Sequence, residues 1–184
     1  MNFEYNNSLT MKKLNSKIIK LFSRQQIEKR VADIAKKINK DFKNKKLLIL
    51  SVLSGSVVFC SDIIRKLKID FEIDFIKVSS YNGRQSSKKI AVKIKNNVDV
   101  KNKDVLIIDD ICDTGRTLYY LKNLILKNKA KTVTLCSLVN RTVKKYRGVS
   151  VKYKGIEIKN GFLVGYGLDC DGKYRGLPYI GILK

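Results

Sequence analysis

The run at 105–117, VLIIDDICDTGRT, constrains this chain more than any other stretch. Its first four residues are apolar and read as a buried parallel strand. They deliver two adjacent carboxylates, Asp109 and Asp110, to the carboxyl edge of a sheet, where open α/β folds bind their ligands. Asp113, Thr114, Gly115, Arg116 and Thr117 then form a tight turn that opens a helix. Backbone N–H groups at such a turn, two Thr hydroxyls and a Gly that admits close approach make a phosphate cradle. The paired acids cannot hold phosphate themselves, but they can grip hydroxyls, such as a ribose diol, or a divalent cation. The run matches neither G-x-x-x-x-G-K-[ST] nor G-x-G-x-x-G, which disfavours a P-loop NTPase and a dinucleotide-binding Rossmann domain.

The rest of the chain supplies strands and helices around this segment. Ser23 and Gln26 read as a capping box. Ile27, Val31, Ile34, Ala35 and Ile38 follow at the spacing of an amphipathic helix. Residues 47–53 are a buried strand, broken at Ser54, Gly55 and Ser56, with a second helix expected over 57–67. Residues 71–80 alternate as a strand, with Phe71, Ile73 and Phe75 set against Glu72 and Asp74. Residues 81–89 (YNGRQSSKK) are polar and rich in Gly and Ser, so a mobile loop is expected, with a returning strand at 91–98. A helix at 117–128, a strand at 132–139 and short strands at 151–153 and 162–164 complete the reading. Strands alternating with helices imply βαβ units and a parallel sheet in one α/β domain.

Composition excludes several function classes. The 184 residues contain no His, which removes His-based nucleophile activation, His metal ligation and a His general base. No apolar run reaches the ~18 residues of a membrane span. Residues 1–22 lack the apolar core of ~7–15 residues that a secretory signal needs. Cys60, Cys112, Cys136 and Cys170 form no C-x-x-C pair, so reduced, buried thiols in a cytoplasmic chain are expected. The 39 Lys+Arg against 16 Asp+Glu give a formal net charge of +23. Arg supplies only eight of those 39, and Lys is spread along the whole chain beside abundant Asn and Ile. That pattern reads as coding bias, not as an Arg- and aromatic-rich nucleic-acid surface.

The segment at 105–117 resembles the phosphoribosyl-diphosphate (PRPP) signature of the type I phosphoribosyltransferases. The resemblance extends to 52–56 (VLSGS), 78–81 (VSSY), 155–158 (GIEI), 162–169 (FLVGYGLD) and 174–181 (YRGLPYIG), in the order and spacing of the hypoxanthine(-guanine) phosphoribosyltransferases. It covers about 23–184. It implies one domain over 1–184: a twisted, mainly parallel sheet flanked by helices, with a small hood formed by terminal segments. Residues 1–22 would be an N-terminal segment and 81–89 a mobile lid.

The implied reaction transfers the 5-phosphoribosyl group of PRPP to hypoxanthine or guanine, giving IMP or GMP and pyrophosphate, with Mg²⁺ as cofactor. By resemblance, Asp109 and Asp110 hold the ribose hydroxyls, with Asp109 standing where the family more often has Glu. Asp113 is the general base or acid at purine N7. Thr114, Gly115, Arg116 and Thr117 hold the 5′-phosphate. Ser54 and Gly55 offer backbone amides to pyrophosphate, at a turn where a cis Leu53–Ser54 bond is expected; the family places Lys at the position of Ser54. Arg175 matches a pyrophosphate-binding Arg. Arg141 stands where the family places a Lys toward purine O6, Phe162 stacks on the base and Leu163 offers its backbone. Asp169 belongs to the purine pocket and holds Mg²⁺, to which Asp109 and Asp110 can contribute through ribose or water. Ser80 and Tyr81 close with the lid. A homodimer or homotetramer is implied, with no membrane or nucleic-acid partner. The alternatives are a PRPP-sensing nucleic-acid-binding regulator of the same fold and a xanthine-preferring transferase.

Overall fold

The computed structural model describes residues 17–80, 90–91, 98–146 and 148–184. Helix α1 (Arg24–Asp41) starts at the expected capping box: Ser23 Oγ accepts the Gln26 N–H at 3.3 Å, and Gln26 Oε1 accepts the Ser23 N–H at 2.8 Å. Its apolar stripe Ile27, Val31, Ile34, Ala35 and Ile38 is buried. Five strands form the main sheet: β2 (Leu47–Leu53), β3 (Phe71–Lys77), β6 (Asp104–Cys112), β7 (Thr132–Arg141) and β8 (Tyr153–Ile158). They run in the order β3-β2-β6-β7-β8, each pair parallel. Their near-continuous apolar runs, LLILSVL in β2 above all, suit strands covered on both faces.

Two cores cover the sheet. On one face, α1 and α2 (Val57–Ile64) pack Ile34, Ile38 and Phe59 against Ile49, Leu106 and Ile108. On the other, α3 (Arg116–Lys127) sets Leu118, Leu121 and Ile125 against Leu48, Leu50 and Ile107. Parallel register brings the carboxyl ends of β2, β6 and β7 to one edge, so the loops that follow them converge there.

A second, antiparallel sheet forms the hood. Strand β1 (Ile18–Phe22) pairs with β10 (Ile180–Leu183), which pairs with β9 (Phe162–Val164). The end of the 1–22 segment is therefore a strand. Neither β1 nor β10 stands out in sequence, because each is only four or five residues long and is defined by the other. A two-residue pair, β4 (Ser79–Ser80) with β5 (Ile90–Ala91), flanks the expected lid. Tyr81 and residues 82–89 lie outside the described residues, as do 92–97 of the expected returning strand.

Other boundaries shift for physical reasons. The strand expected at 151–153 begins at Tyr153 and runs to Ile158, its register set by pairing with β7. The two carboxylates lie inside β6, not after it, because β7 keeps pairing with β6 as far as Cys112. In β3 the alternation expected from the sequence does not set burial: Ile73 and Phe75 are 37% and 43% exposed, whereas Ile76 is fully buried. This strand is one of the two edges of the sheet, and α2 packs over β2 and β6, leaving that flank of β3 open.

The hood sits on the sheet through glycines. Gly167 has φ +98°, and a Cβ there would lie 2.1 Å from the Gly55 carbonyl oxygen. The Tyr166 hydroxyl also donates to Asp62 on α2. Gly167→Ala should therefore cost about 2–4 kcal/mol, read as a lower urea midpoint at unchanged slope. A variant as stable as the parent would show that the hood does not depend on this approach.

Candidate active site

At the carboxyl edge lies a cleft of about 340 Å³, bounded by the end of β2, Val78 and residues 109–118. Asp109 and Asp110 alternate across the strand. Asp109 is 8% exposed, and each carboxylate accepts the next backbone N–H: Asp110 N to Asp109 Oδ1 at 3.1 Å, and Ile111 N to Asp110 Oδ1 at 2.9 Å. Burial raises both carboxyls, and the negative charge of Asp110 pushes Asp109 well above the ordinary carboxylate range. Hydrogen bonding with Asp109 and the Ile111 N–H, and to a lesser degree the Arg175 charge, oppose the rise at Asp110.

The 54–55 turn borders the same cleft. The Leu53–Ser54 bond is cis, as the resemblance implies. Gly55 is required by packing: a Cβ there would lie 1.8 Å from Asp110 Oδ2. Ser56 Oγ donates to Val52 O at 2.5 Å and lies 2.7 Å from Ser51 Oγ, which ties the turn to β2.

The turn at 113–117 leads into α3. Gly115 is left-handed (φ +80°), and its carbonyl accepts the first helical bond from Tyr119 N at 2.9 Å. Asp113 and Thr114 are exposed, and the Arg116 guanidinium lies 6.0 Å from the Tyr120 ring centroid. The first turn of the helix thus offers backbone N–H groups and a positive dipole end beside the cleft.

The remaining expected residues come from the hood and the end of β7. Phe162 is 55% exposed, whereas Leu163 is buried and pairs with Ile182. Arg141 Nη2 donates to Gly161 O, which anchors β7 beside Phe162. Asp169 Oδ1 pairs with Arg175 Nη2 at 2.8 Å, and Asp169 Oδ2 accepts the Gly172 N–H at 2.8 Å. Arg175 Nη1 also donates to Gly167 O at 2.5 Å, so the pair is braced against the turn that touches Gly55. Ser80 lies in β4, opposite Ile90.

Sequence reading missed one residue next to this cleft. Lys145 reaches back to donate to the carbonyls of Cys112, at 2.8 Å, and Asp113. Nothing in its spacing distinguishes it from the chain's many other lysines.

The raised Asp109 carboxyl has a stability consequence. The folded state holds its proton more tightly than the unfolded chain does. That stabilising contribution is complete below about pH 3.9, the unfolded value, and is lost as pH rises through the raised folded value. Asp109→Asn cannot ionise, so its stability relative to the parent should improve steadily as pH rises from about 4 toward 8. Paired urea melts across that range would read it; a constant offset between the two proteins would show that Asp109 titrates normally.

The chain is similar to known proteins along most of its length. The family model for the phosphoribosyl transferase domain matches residues 20–171. The hypoxanthine-guanine phosphoribosyltransferase of Streptococcus thermophilus is 38% identical over 166 residues, covering 89% of this chain and 92% of that protein. The enzyme of that name from Mycoplasma genitalium is 36% identical over 167 residues, covering 89% and 94%. The bifunctional protein TilS/HprT of Listeria innocua is 38% identical over 165 residues, and this chain spans only 26% of its length. Among solved structures, a hypoxanthine-guanine phosphoribosyltransferase from Bacillus anthracis has TM-score 0.83 and 36% identity, covering 92% of this chain and 100% of that one. A hypoxanthine phosphoribosyltransferase from Staphylococcus aureus has TM-score 0.84 and 35% identity, covering 98% and 97%. The family match over most of the chain and relatives at 36% and 38% identity show that this chain belongs to the phosphoribosyl transferase domain family.

Proposed function

We propose that the protein is a purine salvage enzyme that transfers the 5-phosphoribosyl group of PRPP to hypoxanthine or guanine. The observation that carries this reading is the cleft at 109–118: a buried and a half-buried carboxylate, Asp109 and Asp110, beside a helix N-terminus. The two features suit the two ends of one ligand, hydroxyls for the acids and a phosphate for the turn.

The residues then take the following roles. Asp109 and Asp110 accept from the ribose hydroxyls. Each carboxylate accepts one backbone N–H, and ribose hydroxyls would add further donors to its free lone pairs. Thr114, Gly115, Arg116 and Thr117 cradle the 5′-phosphate. The Ser54 and Gly55 amides, with Arg175, meet the pyrophosphate as it leaves C1′. The exposed face of Phe162 takes the purine in a stack, Arg141 stands beside it for O6, and the Leu163 backbone borders the base. N9 attacks C1′, and Asp113, exposed at the mouth of the cleft, exchanges a proton at N7. Ser80 and Tyr81 would close the lid and exclude water from the ribosyl cation.

Mg²⁺ fits these residues. Among the described residues no three His, Cys, Asp or Glu side chains converge into a closed cage. Mg²⁺ characteristically keeps its waters and uses one or two carboxylates together with substrate phosphates. Asp169, and Asp109 with Asp110 through water or ribose, would hold it. When bound it neutralises charge on pyrophosphate. A reducing cytoplasmic setting suits four cysteines that are all unpaired, and no helix among the described residues is long and apolar enough to cross a membrane. The family resemblance supports a homodimer or homotetramer.

A spectrophotometric assay with PRPP, Mg²⁺ and each of hypoxanthine, guanine, xanthine and adenine tests the reading; turnover of hypoxanthine or guanine is expected. Loss of activity on both, with tight salt-dependent RNA or DNA binding instead, would support a nucleic-acid-binding regulator. Asp113→Asn should lower kcat by about 10² or more, the usual scale of general acid–base help, with PRPP binding largely kept. A near-normal kcat for hypoxanthine would remove Asp113 from the chemistry. Phe162→Ala should raise KM for the base by about tenfold, consistent with loss of an aromatic stack, and leave KM for PRPP within about twofold. Equal effects on both substrates would show that Phe162 supports the fold and not the base.

A further inference from the structure

The loop that carries the expected phosphate cradle is held from behind by Lys145, Tyr146 and Val149, which lie outside the sequence motifs that carry the resemblance. Lys145 Nζ donates to the carbonyls of Cys112, at 2.8 Å, and Asp113. The next residue continues the pattern: Tyr146 N donates to Thr114 O at 2.8 Å. Three successive carbonyls, 112, 113 and 114, therefore point at one strap. Val149 closes the strap against Gly115, where a Cβ would lie 2.7 Å from Val149 Cγ1. The strap is itself folded, since Val149 N donates to Tyr146 O at 3.1 Å.

Peptide planarity turns this contact into a statement about the other side of the loop. In a trans peptide, the C=O of one residue and the N–H of the next point in opposite directions. Carbonyls 112, 113 and 114 face the strap, so the N–H groups of Asp113, Thr114 and Gly115 face away from it. Lys145, Tyr146 and Val149 do not line the cleft, whereas residues 109–118 do, so the away side is the cleft side. Three consecutive N–H groups aimed one way form an anion nest.

We infer that Lys145 is the positioning residue for this nest. By binding the Cys112 and Asp113 carbonyls it fixes the peptide planes, so that their amides meet the 5′-phosphate without reorganisation. It touches neither the phosphate nor the reacting atoms. A single ammonium suits the task because it has three donors and no planar fork to orient. The inference deepens the transferase reading and rests on it for the identity of the bound phosphate.

The test uses ribose 5-phosphate binding by calorimetry, beside steady-state kinetics with PRPP and hypoxanthine. Lys145→Met keeps the aliphatic stem and removes the donors. It should weaken ribose 5-phosphate binding and raise KM for PRPP, each by about tenfold, with KM for hypoxanthine within about twofold. Lys145→Arg should recover most of the loss, and Lys145→Gln, which keeps an amide donor on a shorter stem, should fall between; the Gln variant also carries the test if Met does not fold. Lys144→Met removes the same charge one residue earlier, from an exposed side chain, and should change binding by less than about twofold. Unchanged ribose 5-phosphate affinity in Lys145→Met, or an equal loss in Lys144→Met, would overturn the inference and leave the transferase reading intact. Ribose 5-phosphate binding without transfer to any purine would overturn the transferase reading, while the Lys145 series would still decide the nest. Failure of the unaltered protein to bind ribose 5-phosphate would overturn both.

Discussion

The site depends on how closely the 54–55 turn is approached from two sides. From the sheet, Asp110 brings a carboxylate oxygen to where a Gly55 side chain would begin. From the hood, Gly167 meets the Gly55 carbonyl so tightly that a methyl there would lie 2.1 Å from it. These contacts lock three parts of the chain that are far apart in sequence: the end of β6, the turn after β2 and the turn after β9. The glycines answer different needs. Gly55 is required by packing alone, whereas Gly167 also adopts a φ that L side chains rarely tolerate. Arg175 reinforces the junction by bonding Gly167 O while pairing with Asp169.

Charge is organised against the bulk of the chain. The molecule carries a formal +23, yet its cleft is built around acids that burial pushes toward protonation. A positive field helps collect an anionic ligand at long range and is screened by salt. It does not choose where the ligand sits. That choice is local: the Asp pair excludes phosphate from one end of the cleft, and the helix N-terminus favours it at the other. The strap at 145–149 completes this division, because a lysine at the rear of the loop acts through the loop's carbonyls and leaves its amides for the front.

Much of this was legible in the residues. The VLIIDDICDTGRT run contains its own strand, its two acids and the start of its helix, and each is a local property of spacing and propensity. The capping box of α1 and its buried stripe were legible for the same reason. Other features were not. β1 and β10 make sense only as partners, β3 leaves Ile73 and Phe75 exposed at an edge of the sheet, and Lys145 is one lysine among many until the fold sets it behind Asp113.

By itself, the sequence determined the α/β class and a strand–turn–helix that carries two adjacent acids and a Thr- and Gly-containing turn to the carboxyl edge of the sheet. Those follow from periodicity and side-chain chemistry within some dozen neighbouring residues. Only the tertiary structure decided that Asp110 lies against Gly55, that Asp169 is tied to Arg175, and that three carbonyls of the 112–114 loop share one strap. The first and last of these contacts join residues tens of positions apart, and the pairing of strands and the burial of two cores select them. No local pattern encodes that selection.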